Sequence, residues 1–377
     1  MQKVYLDNAS TTALRPEVIQ EMTHVLEQEY GNPSSTHSFG RSSKNVLELS
    51  RKVIAKNLNA TAQEIIFTSC GTEANNWILQ SAVKDLKVER IITSKIEHHA
   101  VLYTVLALQQ QYGIQVDYVA VKPDGAIDLT HLVTLLADDK KTLVSLMHVN
   151  NEIGTVLDLN RVGIICKEHN VLFHSDTVQS IGKMNLDLQN IPVDFIVASA
   201  HKFHGPKGVG FAFIRKNSGL QPLFFGGEQE KGLRAGTEAL HQIAGMAKAL
   251  ELSYLNLEKD QKDIEALKKY LWDQLQVYIP GVKCNGDLSG FYNVINILLP
   301  FDKEKTAMIL FHLDMKGIAV SRGSACQSGS IKPSHVLAEL LSESDLVLPS
   351  LRVSFSHFNT TQDVDTFIAA LVAIQNS

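Results

Sequence analysis

The chain has 377 residues, of which 45% are hydrophobic and 20% are charged, and its formal net charge is -5. This length is enough for a large hydrophobic core plus a second domain, and the slightly acidic balance offers no basic surface for nucleic acid. No apolar run reaches the roughly 20 residues that a membrane-spanning helix needs, and residues 1–10 show no signal-peptide pattern.

The four cysteines are scattered without paired spacing; they are Cys70, Cys166, Cys284 and Cys326. This distribution argues against a disulfide framework or a zinc ribbon and favours a reducing, cytoplasmic location. Histidine-based metal sites are also disfavoured, because the HH of residues 98–99 and the HKFH of residues 201–204 lack a matching carboxylate or thiolate pattern.

Short β-branched runs alternate with helix-like segments over the first two thirds of the chain. Helices are predicted first over Pro16–Glu29 and Gly40–Asn57. The predicted strands are Glu64–Phe67, Arg90–Thr93, Val116–Val121, Thr142–Met147, Val171–Phe173, Asp194–Ala198 and Gly210–Ile214, with helices near Thr72–Val83, Ala100–Tyr112, Leu129–Leu136 and Asn160–His169. This alternation predicts an α/β fold with a mostly parallel sheet covered by helices on both faces.

The pattern changes near residue 250. Residues 237–276 contain few helix breakers and predict one or two long helices. The chain beyond Pro280 reads as a compact α+β unit with a helix near Pro333–Leu341. We therefore expect a large domain over residues 14–255 and a small domain formed by residues 1–13 and 256–377.

Two of the predicted strands, residues 171–173 and 193–197, each end in a polar cluster. Ligands bind at the carboxyl ends of strands in an open α/β sheet. Pyridoxal phosphate (PLP) needs a lysine that forms a Schiff base and a carboxylate that pairs with the ring nitrogen, and Lys202 and Asp176 fit these roles. Surface charges at the starts of loops fit the two residues equally well. The polar residues after these strands are Asp176, Gln179, Ser199, His201 and Lys202.

The segment FTSCGTEANN, residues 67–76, reads as a strand, a small turn and the start of a helix. The N–H groups of a helix N-terminus together with hydroxyls form an anion cradle, so Ser69, Gly71 and Thr72 fit a phosphate site. A plain N-cap formed by Thr72, with Glu73 in the first turn, is the alternative.

Polar residues also follow two further strands. His98 and His99 come after the strand that ends at Thr93, where a histidine could lie flat on an aromatic ring and move protons, or form an exposed pair at a helix start. Asn151, in HVNNEIG, fits either a hydrogen bond to a ring oxygen or a structural turn.

Cys326 is the first candidate for a nucleophilic thiol. It lies in VSRGSACQSGS, a predicted loop of small residues in which a thiolate can move, and Arg322 is placed to lower its pKa. Cys70 is the rival, because a helix N-terminus also lowers a thiol pKa, but a bound phosphate there would repel a second anion. Cys166 fits a buried helix face, and Cys284 has no activating neighbour in the sequence.

Arg352 lies in SLRVSFS, a predicted strand with alternating apolar residues. A fixed guanidinium binds a carboxylate through two parallel hydrogen bonds, which fits a substrate-binding role. A charge on the solvent face of an edge strand is the alternative, and the residue type alone does not separate the two.

Taken together, these stretches resemble the cysteine desulfurases of the NifS/IscS type, in class V of the PLP-dependent aminotransferases. The similarity covers nearly the whole chain, through YLDNASTT, GNPSSTHSFG, FTSCGTEANN, SKIEHHAV, MHVNNEIG, SDTVQS, ASAHKFHGPKGVG, GLRAGT, SRGSACQS and LRVSFS in order. The resemblance implies the type I PLP-dependent transferase fold, with a mostly parallel seven-stranded sheet in the large domain and a small α+β domain that carries the mobile cysteine loop.

The resemblance also implies a role for each candidate residue. Lys202, rather than Lys207, is similar to the Schiff-base lysine, and His98 to the histidine that stacks on the ring and acts as acid or base. Arg352, with Asn151, resembles the group that binds the substrate carboxylate, and Cys326 resembles the sulfur acceptor. The implied cofactor-binding residues are Gly71, Thr72, His98, Asn151, Asp176, Gln179, Ser199, His201, Lys202 and Thr237. Thr237 resembles a threonine that reaches the phosphate from the other subunit, which implies a homodimer.

The implied activity is the conversion of L-cysteine to L-alanine, with the sulfur held as a persulfide and passed to an acceptor protein. The acceptor would serve iron–sulfur cluster, thio-cofactor or tRNA biosynthesis. A selenocysteine lyase or another class V enzyme, and an inactive sulfur-transfer scaffold, are the alternatives. Three positions depart from the family pattern: Cys70 and Ala200 stand where glycine is usual, and Arg322 where serine is frequent.

Overall fold

The computed structural model describes residues 3–323 and 334–376. Its largest sheet has seven strands within these ranges, in the order β2-β8-β7-β6-β5-β3-β4. The strands are β2 (Ile65–Thr68), β3 (Arg90–Thr93), β4 (Gln115–Tyr118), β5 (Thr142–Ser145), β6 (Leu172–Asp176), β7 (Phe195–Ser199) and β8 (Gly210–Ile214). All neighbouring pairs are parallel except those that involve β8, which runs antiparallel to both β2 and β7. The mostly parallel seven-stranded sheet is thereby confirmed.

Helices cover both faces of this sheet because its strands are apolar on both sides. Ile91 and Ile92 illustrate this, since they belong to separate buried clusters on opposite faces. The helices in this part of the chain are α1 (Pro16–Gln28), α2 (Ser38–Asn57), α3 (Gly71–Lys84), α4 (His99–Tyr112), α5 (Leu129–Leu135), α6 (Leu159–Glu168) and α7 (Leu240–Leu255).

A third buried cluster lies in the remaining part of the chain and includes Leu271, Ile297 and Phe367. Its helices are α8 (Leu257–Tyr278), α9 (Ile309–Met315), α10 (His335–Ala338), α11 (Glu343–Leu346) and α12 (Thr361–Gln375). Its strands are β1 (Val4–Tyr5), β9 (Lys283–Cys284), β10 (Val294–Leu298), β11 (Ile318–Ala319) and β12 (Ser350–Ser354). They form a three-stranded sheet, β12-β10-β9, and a β1–β11 pair.

The N-terminal segment connects the two parts. Val4 pairs with Ile318 in the β1–β11 ladder, and the chain then crosses to the large sheet, where the Thr12 N–H donates to the His201 carbonyl at 2.9 Å. The division into domains at residues 14 and 255 stays a prediction.

The bounds of several predicted elements differ from the structure. β4 ends at Tyr118 rather than Val121, because the P-D-G turn that follows leaves only an isolated bridge between Val121 and Ile127. The helix predicted near Pro333–Leu341 is α10, which spans only His335–Ala338. Within the described residues, no helix is both long and apolar enough to cross a membrane.

Candidate active site

Neighbouring parallel strands deliver the acid and the lysine to one edge of the large sheet. β6 ends at Asp176 and β7 ends at Ser199, and a 3₁₀ turn over Ala200–Lys202 follows directly. Asp176 is in register with Val197, so both strand ends meet at the same edge. This is the edge at which open α/β sheets bind ligands.

The carboxylate of Asp176 is buried and held by two donors. Its Oδ2 accepts a hydrogen bond from Asn75 Nδ2 at 2.7 Å, and its Oδ1 accepts one from the Val178 N–H at 3.0 Å. Asp176 is only 5% exposed, so a surface-charge interpretation is wrong for this residue.

Lys202 is held by the N-terminal segment. Its Nζ donates to the carbonyl oxygens of Ala9 and Ser10 at 2.7 and 2.8 Å. Gln179 reaches the same carbonyl, since its Nε2 donates to Ala9 O at 2.9 Å, and its Oε1 accepts from Lys183 Nζ at 3.4 Å. The amide of Gln179 therefore has its donor side toward Lys202 and its acceptor side toward Lys183.

The imidazole of His201 is neutral at physiological pH. Burial, together with the charges of Lys202, Lys207 and Lys183, lowers its pKa to about 3. Its Nδ1 lies 3.1 Å from Thr11 Oγ1, a second contact with the N-terminal segment.

α3 presents its N-terminus to the same edge. Cys70 is the N-cap residue but makes no side-chain cap hydrogen bond, so the capping role considered for Thr72 is wrong. A Cβ atom on Gly71 would lie 2.7 Å from Val178 Cγ2, which explains why the first helical position is glycine. Two contacts of Glu73 hold the turn between β2 and α3. Its Oε2 accepts a hydrogen bond from the Ser69 N–H at 2.8 Å, and its carboxylate pairs with Arg234 at 2.9 Å.

His98 is the N-cap of α4, and its Nδ1 accepts a hydrogen bond from the Ala100 N–H at 3.1 Å. Burial is the main cause that lowers the pKa of His98. The charges of Lys202 and His335 lower the pKa further, whereas the charge of Asp176 raises it. A lowered pKa favours a neutral imidazole that is able to accept a proton. His99 does not line the same cavity and instead stacks on Tyr103 with ring centroids 4.7 Å apart.

Arg352 is 1% exposed, so the solvent-face interpretation of this residue is wrong. Its Nη1 donates to the Asn151 carbonyl at 2.8 Å, and its Nη2 donates to Asp7 Oδ1 at 2.8 Å and to Ser10 Oγ at 2.5 Å. Its Nε is buried and has no hydrogen-bond partner among the described residues. The guanidinium is thus fixed in place beside the lysine.

One cavity of about 270 Å³ brings most of the candidates together. Those that line it are Gly71, Thr72, His98, Asn151, Asp176, Gln179, Ser199, His201, Lys202 and Arg352, and Cys70 lines it as well. Thr237 does not: it is exposed on a separate depression that Tyr30 and His241 also line. Cys326 lies outside the described residues. Cys166 is buried, as the sequence predicts, and burial raises the pKa of its thiol.

The chain matches the family model of class-V aminotransferases over residues 4–367. It is 40% identical to a cysteine desulfurase IscS of Dictyoglomus turgidum over 376 residues, which cover 99% of this chain and 94% of that protein. A solved NifS-like protein superposes with a TM-score of 0.92 at 35% identity and full coverage of both chains, and SspA in complex with cysteine superposes with a TM-score of 0.83 at 30% identity, covering 95% of this chain and 100% of that one.

The chain belongs to the class-V aminotransferases, within the cysteine desulfurase branch. Enzymes of this family depend on PLP, and the fold is the one that the sequence resemblance implies. The roles of the individual site residues stay predictions.

Sequence reasoning missed several residues of this cysteine desulfurase site, and two of them bind the charged groups. Asn75 binds Asp176, and Asp7 binds Arg352. Asn75 carried a usable signal, because it lies four residues after Gly71 and so on the same face of α3. Asp7 carried none, since its partner is 345 positions away in the chain.

Proposed function

We propose that this cysteine desulfurase holds PLP on Lys202 and transfers the sulfur of L-cysteine to Cys326. The observation that carries the proposal is the single cavity in which Lys202, Asp176, His98 and Arg352 meet. The class-V family match and the full-length similarity to cysteine desulfurases support the same reaction.

The residues at the cavity fit each part of the cofactor. The N-terminus of α3 has no side-chain cap, and its first position is a glycine, so its N–H groups are available to a phosphate together with Thr72 and Ser199. The buried carboxylate of Asp176 would pair with a protonated ring nitrogen, and Lys202 would hold the cofactor covalently through its amine. When bound, PLP supplies an electron sink for the charge left at the substrate α-carbon.

The chain's own residues then bind the substrate and move its protons. Arg352 holds the cysteine carboxylate, because its guanidinium is already fixed by the Asn151 carbonyl and Asp7. The amine of Lys202, once released, takes the α-proton, and the neutral imidazole of His98 accepts or returns the thiol proton.

Sulfur transfer is assigned to the Cys326 thiolate. Its sulfur attacks the substrate sulfur, so a sulfur–sulfur bond forms and the carbon–sulfur bond of the substrate breaks. The electron pair stays on the substrate β-carbon, which takes up a proton, and the α-carbon takes back the proton held by Lys202. The products are L-alanine and a persulfide on Cys326. An acceptor protein or a small thiol removes the sulfur, for iron–sulfur cluster, thio-cofactor or tRNA synthesis.

A homodimer is part of the proposal. Thr237 is exposed and lies away from its own cavity, which supports a role at the phosphate of a second copy. Sedimentation of the purified protein should give a dimer, and Thr237→Ala should weaken PLP binding without changing the protein's mass in solution. A cytoplasmic location agrees with the scattered cysteines.

The test is a set of thiol and lysine variants. Lys202→Ala should lose the covalent link to PLP, detected by mass spectrometry after reduction of the imine. Cys326→Ser should still show the spectral change on adding cysteine but form no alanine, while Cys284→Ser, as the matched control, should behave as wild type. If Cys326→Ser formed alanine at the wild-type rate, the nucleophile would be wrongly assigned. The same would follow if Cys70→Gly lost alanine formation while Cys326→Ser kept it.

A further inference from the structure

Glu152 is a buried carboxylate that the proposed reaction does not use. Its side chain lies in the HVNNEIG segment directly after Asn151 and is 0% exposed. Its Oε2 accepts a hydrogen bond from the hydroxyl of Ser334, and its Oε1 is buried with no partner in the part of the chain that the structure describes. Such a group is costly to bury, so its position calls for a function.

The contacts of Glu152 lie at both ends of the segment that carries Cys326. The described chain stops at Gly323 and resumes at Ser334. A Cβ atom on Gly323 would lie 3.3 Å from Glu152 Oε2 and 3.4 Å from Ser334 Cβ. Gly323, Ser334 and the carboxylate of Glu152 are therefore packed against one another. A side chain at position 323 would therefore be tight against both groups.

The same residue is also tied to the substrate-binding arginine. The carbonyl of Asn151, next to Glu152 in the chain, accepts a hydrogen bond from Arg352 Nη1 at 2.8 Å. The carbonyl of Glu152 itself accepts one from Asn296 Nδ2 at 3.2 Å, and Asn296 pairs with Arg352 in the β10–β12 ladder. On the other side, Ser321 exchanges backbone hydrogen bonds with Arg352.

We propose that Glu152 is a positioning residue that holds the two ends of the Cys326 segment together and fixes them relative to Arg352. The inference rests on the proposed function, because it needs Cys326 to be the sulfur acceptor. Gly323 and Ser334 are the described residues that flank Cys326 in the chain. Loss of the Glu152–Ser334 bond should therefore slow sulfur transfer and leave the steps at Lys202 and Arg352 intact.

The experiment compares two reactions of the PLP-loaded enzyme. Exchange of the cysteine α-hydrogen for deuterium reports on Lys202 and Arg352, whereas alanine formation and persulfide on Cys326 report on sulfur transfer. Glu152→Ala and Ser334→Ala should each slow alanine formation by about tenfold to a hundredfold, the range that a misplacement of about 1 Å produces. Exchange and the KM for cysteine should stay within twofold of wild type.

Ser342→Ala is the matched control. Ser342 caps the four-residue helix α11 as Ser334 caps the four-residue helix α10, but its hydroxyl contacts Ser344 and not Glu152. It should transfer sulfur at the wild-type rate. Ser334→Thr and Glu152→Gln keep a donor and an acceptor and should restore most of the activity. The double variant Glu152→Ala/Ser334→Ala should be no slower than either single variant, because the two residues act through one bond.

Three results would overturn the inference: normal alanine formation by Ser334→Ala, a parallel loss of deuterium exchange, or equal damage from Ser342→Ala. Cys326→Ser, assayed alongside, separates this failure from that of the proposed function. Alanine formation by Cys326→Ser overturns the function itself. An inactive Cys326→Ser beside a fully active Ser334→Ala overturns only the positioning.

Discussion

The hydrogen bond between Asn75 and Asp176 gives a prediction whose size follows from the structure. Asn75 is 1% exposed, and its Nδ2 is 2.7 Å from the carboxylate that is proposed to pair with the cofactor ring. A hydrogen bond to a charged group contributes about 1.5–3 kcal/mol. In the unliganded site, water can replace the amide of an Asn75→Ala variant, but a bound ring excludes that water, so the loss appears in cofactor affinity.

At about 1.4 kcal/mol for each tenfold change, Asn75→Ala should weaken PLP binding by about tenfold to a hundredfold. Asn75→Asp should weaken it further at neutral pH, because a second carboxylate would face Asp176, and lowering the pH should recover part of the affinity. The dissociation constant is measured by titrating the cofactor-free protein with PLP and following its visible absorbance.

Asn76→Ala is the matched control on the same helix. The amide of Asn76 donates to the Thr72 carbonyl at 3.0 Å and does not reach Asp176. It should bind PLP with wild-type affinity. Equal dissociation constants for Asn75→Ala and Asn76→Ala would refute the reasoning, since the buried bond would then contribute nothing to cofactor binding.

Three further changes test other parts of the site. Gly71→Ala should weaken PLP binding because its Cβ would meet Val178 Cγ2 at 2.7 Å, and Val178→Ala should restore part of the loss in the double variant; purely additive effects on affinity would contradict the steric cause. Arg352→Lys should raise the KM for cysteine by at least about tenfold, since the amine cannot form the paired hydrogen bonds of a guanidinium; an unchanged KM would exclude a role in carboxylate binding. Burial, with the charges of Lys202 and Arg352, lowers the pKa of Lys183 to about 7. The charged form is therefore penalised below that pH. Lys183→Met should be the more stable protein at pH 6 by up to about 5 kcal/mol, since the pKa falls from 10.5 to about 7 and each unit corresponds to about 1.4 kcal/mol. The cost of burying a charged Lys183 disappears as the pH rises from 7 toward 10.5. The difference in free energy of unfolding between Lys183→Met and wild type, measured by denaturant unfolding, should therefore shrink over that range. A difference that does not change with pH would contradict this prediction.

The elements of the large sheet were predictable because their signals are local. β3 and β8 have the bounds that the sequence predicts, and α3 begins one residue before its predicted start. Continuous β-branched runs between polar loops are typical of buried parallel strands, and parallel strands place their ends at one edge. Asp176 and Lys202 could therefore be assigned to one site before the structure was known.

The partners that hold Lys202 and Arg352 were not predictable, because each crosses the fold. Lys202 bonds to the carbonyls of Ala9 and Ser10, some 190 positions away, and backbone carbonyls carry no sequence signal at all. The residue type alone left Arg352 open between a substrate-binding group and a charge on the solvent face, and its burial and its bond to Asp7 exclude the second. The helix predicted after Pro333 was too long because the hydrophobic spacing of residues 336–341 continues past the end of α10.

The charges around the cavity give a physical reason for its choice of ligands. Burial and the neighbouring lysines keep His201 neutral, and burial, Lys202 and Arg352 bring the pKa of Lys183 down to about 7, so the cations at this site repel one another. The carboxylate of Asp7 offsets part of this repulsion through its ion pair with Arg352, and an anion that enters the cavity offsets more of it. A phosphate at α3 and a carboxylate at Arg352 therefore each lower the electrostatic energy of the site as they bind, and binding of one reduces the positive charge that attracts the other.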